Sequence, residues 1–247
     1  MGSNQRVKYN SSDNKFSASL SIWLSLVLLC VAWKQGYAAG AVMYSGVAGG
    51  DNDSIVYLGA SIPFKGSRLG KGWVGKYWID QLKYRYTSDD EIISATAPGV
   101  EASIAYMGGD FKMHYGVSLG FTYRYTELTP DQPDSDVRGG ISGAKLQLDG
   151  GYAFSQQWQG SATAFYDTGS SLYWLSSKLL HGFRNNISLG PELAVFGNPD
   201  FRTKQGGLVV SGIKLTESVR LGLQAYLKKS RGLDSEVSFG ASVSSLF

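Results

Sequence analysis

Gly116-Val117-Ser118-Leu119-Gly120 fits the G-x-S-x-G pattern of an acyl-transfer nucleophile, and His114 stands four residues before Ser118. That pattern works on a strained strand-to-helix turn. Here the flanking residues alternate as a regular strand does, and four strand residues put His114 about 13 Å from Ser118. Glycines on one polar face account for the pattern, so no catalytic residues are assigned. The other histidine, His181, shares parity with Leu175 and Leu179 and is expected at a rim. Two histidines without cysteine pairs or a tight carboxylate cluster give no metal set, and no cofactor is expected. Asp89-Asp90-Glu91 and Asp131, Asp134 and Asp136 could hold cations that bridge lipopolysaccharide. Clustered like charges more often mark solvated loops.

A different set of charges sits on the polar parity of alternating segments: Arg124, Lys145, Glu192, Arg202 and Arg220. Polar side chains facing one way along strands with apolar opposite faces are what the lumen of a membrane barrel requires. Such charges can form a salt-bridged filling or line a polar path. Barrel diameter grows with strand number, and about twelve strands leave little interior room, which favours filling.

The elements that must carry these residues are strands. In His114 to Thr126, Tyr115, Val117, Leu119, Phe121, Tyr123 and Tyr125 share one face, opposite glycines, hydroxyls and Arg124. Val219 to Leu227 repeats the rule, with Arg220 on the polar side. So do Val56–Phe64, Val100–Tyr106, Ala144–Phe154 and Ile187–Val195. Val209, Ser211, Ile213 and Leu215 read as one face of a further strand. Segments near 41–49, 73–86, 157–167 and 171–181 are fainter. The total is an all-β transmembrane antiparallel barrel of about twelve strands, each of roughly the ten residues that cross a bilayer at the usual tilt. Pro191 cannot donate to a ladder and is expected to mark a bulge near a rim. Trp73, Tyr77, Trp78, Tyr84, Tyr86, Tyr123, Tyr125, Trp158, Tyr166, Tyr173 and Trp174 are expected in two interfacial girdles.

Composition agrees. The chain of 247 residues holds 32 Gly, 15 Tyr and 6 Trp. Its mean hydropathy of −0.12 is too polar for a helical membrane protein. Residues 1–38 read as a signal peptide: a basic start (Arg6, Lys8, Lys15), an apolar run from Ala18 to Trp33, and small residues at Ala38-Ala39. Cys30, the lone cysteine, falls within it. Removing the four cations and one acid of that segment from 23 and 20 leaves 19 of each sign, so the basic pI gives no reason to expect nucleic acid as a partner. Residues 39–247 form the expected barrel. Its last strand ends on Phe247, after Val237, Phe239, Ala241 and Val243 on one face. A terminal aromatic there resembles the assembly signal of bacterial outer-membrane barrels, which implies the barrel assembly machinery as a partner, beside outer-membrane lipid and lipopolysaccharide. An even strand count puts both termini in the periplasm. Glu127–Val137 is then an outer loop, and Lys65–Gly72 is a turn unusually long for the inner side.

The runs Asp131–Gly143, Thr168–Gly182, Leu189–Gly197 and Asp200–Ile213, above all Gly190-Pro191-Glu192 and Phe201-Arg202 through Gly207, resemble BcsS-type cellulose biosynthesis proteins of alphaproteobacteria. The resemblance is strongest in the second half of the chain. It implies a non-enzymatic outer-membrane barrel accessory to the making or export of cellulose, with cellulose or its secretion components as partners. It carries over no catalytic residue. A general small-solute pore is the next reading, and a lipid-modifying enzyme the third.

Overall fold

The computed structural model describes residues 40–88 and 91–247. The proposed signal peptide and Cys30 lie outside the described residues, as do Asp89 and Asp90. Twelve strands follow one another: β1 Val42–Gly49, β2 Asp53–Pro63, β3 Gly72–Ser88, β4 Glu91–Gly109, β5 Met113–Thr129 and β6 Gly139–Ala153. The second half holds β7 Trp158–Asp167, β8 Tyr173–Gly182, β9 Ser188–Gly197, β10 Arg202–Lys214, β11 Val219–Ser230 and β12 Ser235–Leu246. Each pairs antiparallel with its chain neighbours, and β1 pairs with β12, so the sheet closes into a barrel with no free edge. Closure lets the strands pair their backbone groups inside the sheet, which is what hydrocarbon demands. The last residue takes part: the Phe247 N–H donates to the Ala41 carbonyl at 2.9 Å, and the Gly40 N–H donates to the Phe247 carbonyl at 2.6 Å.

The alternation sorts side chains as the period-2 pattern predicts. Val117, Leu119 and Phe121 of β5 face outward, as do Leu146 and Leu148 of β6 and Leu223 and Leu227 of β11; Phe121 is 60% exposed and Leu227 68%. In a water-soluble protein so continuous an apolar exterior would be untenable. Around a closed barrel it is the band that meets acyl chains.

Three expectations are corrected. β10 is not uniform: Val210 opposes Leu223 but Ile213 opposes Leu221, so one extra residue bulges out between them. Gly212 adopts φ 80° there, a left-handed conformation that glycine takes without steric penalty. The bulge puts Val209 on the inward side and Ile213 on the outward side. Pro191 makes no bulge. Register on β8 is unchanged across it, from Lys178↔Glu192 to His181↔Leu189, and the ladder skips the stretch between them. The third concerns the girdles. Trp73, Tyr77, Tyr123, Tyr125, Trp158 and Tyr166 are exposed on the outside, but Trp78, Tyr84, Tyr86 and Trp174 turn inward.

The long Lys65–Gly72 segment is a turn closed by an Arg68↔Lys71 bridge, so no hairpin is missing before it. At the end of the barrel opposite the termini, β3 to β6 run to 17, 19, 17 and 15 residues, against ten each for β7, β8 and β9. The wall is therefore much taller on one side. The same end carries the 130–138 loop and is called the loop end below.

Candidate functional site: a filled and capped lumen

The inward face of the strands brings charges of both signs together. Arg124 on β5 grips Asp80 on β3 through two hydrogen bonds of 2.8 and 2.9 Å, and also donates to the Ala97 carbonyl at 2.5 Å. The indole N–H of Trp78 donates to the same carboxylate at 2.8 Å. The Asp80 side chain is only 4% exposed, so a charge there must be neutralised by close partners. Lys145 on β6 pairs with Glu101 on β4 at 2.6 Å and lies 4.1 Å from the centre of the Phe165 ring, a cation–π contact. Lys76 reaches Asp149 at 3.5 Å, and Asp149 also accepts from Thr163 and Gln147.

The opposite wall repeats the arrangement. Glu192 on β9 is buried, accepts from the Tyr226 hydroxyl of β11 at 2.5 Å and pairs with Lys178 of β8 at 3.4 Å. Lys228 of β11 meets Asp53 of β2 at 2.5 Å across β12 and β1. Most of these contacts span more than neighbouring strands, and bare backbone makes the crossings possible. A Cβ on Gly99 would fall 2.7 Å from the Arg124 guanidinium carbon, and one on Gly207 would fall 2.6 Å from the Tyr226 ring. The lumen is thus laced by ion pairs.

Above these charges, at the loop end, an apolar plug reaches across the mouth. Tyr84, Tyr86, Ile93, Ala95, Ala97 and Leu128 come from the tall strands, and Val137 and Phe201 from loops. Phe201 packs on Tyr84 with ring centres 4.8 Å apart. Asn198 sets its position: its side-chain oxygen accepts from the N–H groups of Asp200 and Phe201 at 2.9 and 3.1 Å, the local turn that Asn favours. From Phe201 an aromatic run continues through Phe196 and Trp174, whose rings stack at 4.6 Å, to Phe165. The cavity left within the plug is about 20 Å³, lined by Leu82, Tyr84, Arg124, Val137, Ile141 and Phe201 among others. That is room for about one water molecule. Burial raises the Asp200 carboxyl beside the plug, and Asp136 adds to the rise. On the exposed 130–138 loop the effect is opposite: hydrogen bonds from Arg138 hold Asp131 below the usual carboxylate range.

Of the five charges expected inside, Arg124, Lys145 and Glu192 are central to the lumen network. Arg220 keeps the lumen parity but sits at the terminal rim, where it donates to the carbonyls of Thr216 and Glu217 at 2.7 and 3.2 Å. Arg202 is a correction. It is exposed, while its neighbours Phe201 and Thr203 are buried, so it faces outward with Lys204. Of their partners, Asp149 shares the polar parity of Lys145 in the sequence, whereas Asp80, Glu101 and Lys228 had no lumen assignment. Asp80 could have been found by parity, since it alternates with Ile79 and Gln81 on the same strand. Ser118 lies buried within β5 and His114 packs over Gly151, with no acid–base set formed. Among the described residues no group of three or more metal-ligating side chains comes together.

Comparison with known structures matches this geometry to barrels of the outer-membrane type. The KdgM porin superposes with a TM-score of 0.55 at 11% identity, over 83% of this chain and 99% of the porin. The TodX deltaS2S3 mutant monoaromatic hydrocarbon channel gives 0.52 at 8% identity, over 89% of this chain and 92% of that one. The transport unit of the autotransporter AIDA-I from Escherichia coli gives 0.51 at 10% identity, over 97% and 100%. At such identities the likeness is one of fold. No curated protein matches in sequence. The sequence model for "Cellulose biosynthesis protein BcsS" matches residues 42–246, nearly the whole barrel. The chain belongs to the BcsS family of cellulose biosynthesis proteins.

Proposed function

We propose that the protein is a non-conducting, non-enzymatic outer-membrane barrel that serves cellulose biosynthesis as an accessory, holding secretion components or nascent polymer at the cell surface. The family match ties the chain to cellulose. The single structural observation that favours an accessory over a pore is the apolar cluster that reaches across the loop-end mouth from Tyr84 to Phe201, above the ion pairs of the lumen. In this reading both termini lie in the periplasm and the 130–138 loop lies outside. The assembly machinery inserts the chain, and the apolar band contacts lipid and lipopolysaccharide.

Deletion of the gene tests the link to cellulose. The expected result is less secreted cellulose or looser fibre attachment; unchanged amount and attachment would reject it. A porin-like channel is the second reading, favoured by the likeness of fold to the KdgM porin. Planar-bilayer recording separates the two, since the capped barrel is expected to be silent and a pore would give steady open steps. An unchanged lipid A mass spectrum with and without the protein is the expected result for a barrel without lipid-modifying activity.

A further inference from the structure

Four cations stand together outside the barrel, at the loop end of the β10–β11 hairpin. Lys204 and Lys229 are directly opposed in the ladder. One step nearer the loop, the Arg231 N–H donates to the Arg202 carbonyl at 2.9 Å. All four residues are exposed, and Lys204 and Lys229 share the outward parity of Leu208 and Leu227. Opposed strands and alternate residues place the four within a patch of about 5 by 7 Å at the level of the backbone.

Like charges directly opposed in a ladder destabilise it. None of the four forms an ion pair with a carboxylate among the described residues, although Arg124, Arg138, Lys145 and Lys228 each do. The patch also has a definite height. Lys229 is two residues past Leu227, about 7 Å along the strand, so the cations sit just beyond the apolar band, where lipid headgroups lie. Arginine binds phosphate through its planar fork and lysine through its point charge. Two opposed cation pairs, stacked along the strands, suit a lipid that carries two phosphates.

We propose that Arg202, Lys204, Lys229 and Arg231 form a binding site for the phosphates of the outer-leaflet glycolipid, lipid A. This rests on the orientation given above, with the loop end outside.

Native mass spectrometry of the detergent-purified full barrel, with added bis-phosphorylated lipid A, monophosphoryl lipid A or phosphatidylglycerol, tests it. The wild type is expected to retain the bis-phosphorylated form best. Lys204→Gln with Lys229→Gln is expected to lower its retention about tenfold, while the heat-dependent shift in gel mobility stays intact and shows a folded barrel. Lys83→Gln with Arg85→Gln, on the outward face of β3, is the control and is expected to leave retention unchanged. Equal retention by wild type and the Lys204/Lys229 variant would overturn the site, and equal loss in both variants would reduce it to a general basic girdle. Phosphatidylglycerol bound as well as lipid A would overturn the choice of ligand. External protease on intact cells tests the orientation separately: cleavage in the 130–138 loop supports it, and protection there with cleavage at 64–71 on intact cells would refute the orientation rather than the affinity for phosphate.

Discussion

Arg124 holds Asp80 by passing over the backbone of Gly99, the one residue type with no side chain in the way. Three strands are thereby clamped by one guanidinium.

Removing the clamp from either side is expected to weaken the barrel. Arg124→Ala leaves a carboxylate that is 4% exposed without its countercharge; loss of one partner of a buried pair costs about 3 kcal/mol. Gly99→Val is expected to do comparable harm by displacing the guanidinium. Urea titration in detergent, read by gel mobility, checks both. A double Asp80→Ala/Arg124→Ala variant is expected to lose less than the sum of the two single losses.

The Glu192 hub gives a graded test. Glu192→Gln keeps an acceptor for the Tyr226 hydroxyl but drops the charge that faces Lys178. Glu192→Ala drops both. Loss of a hydrogen bond to a charged group amounts to about 2 kcal/mol, so the Ala variant is expected to unfold at distinctly lower urea than the Gln variant. Coincident midpoints would show that the Tyr226 contact contributes nothing.

Phe201 is the keystone of the plug. Phe201→Ala is expected to create a path past Tyr84 and to turn a silent barrel into one with brief conductance steps in planar bilayers. Continued silence would place the seal deeper, in the ion-pair layer.

Asp200 makes the plug sensitive to pH. Its folded carboxyl is raised by burial and by Asp136, so the folded state holds the proton more tightly than the unfolded chain. The stability tied to this group is fully present below the unfolded carboxylate range and is lost as pH rises through the raised folded value. Asp200→Asn fixes the uncharged form. It is expected to raise the melting temperature at about pH 8 and hardly at all at about pH 4. The same gain at both pH values would rule out titration as its cause.

The barrel and its strand number were legible because a lipid-facing wall imposes period 2 on every crossing, and β5 and β11 state that rule in full. Arg202 was misplaced because the rule was extended to a strand end. There, outward side chains leave hydrocarbon for the headgroup layer and become as polar as the lumen. Residue type failed in the other direction at Trp78, Tyr84, Tyr86 and Trp174: aromatics suit an interface, but equally a packed interior. The bulge at Gly212 shifted parity within one strand, which alternation read across it could not show. The plug left no periodic trace at all, since Val137 and Phe201 come from loops and meet β3 only in three dimensions.

Phe201 precedes β10 and Tyr84 belongs to β3, so the lid draws on segments that lie far apart along the chain and five strands apart around the ring. No early hairpin can build it. During insertion the half-made sheet is an uncapped trough, and the stopper seats only when the two flanks of the wall have swung together. In the non-conducting reading proposed above, the seal is therefore acquired at the final stage of assembly, and a chain stalled before that stage would lack its stopper.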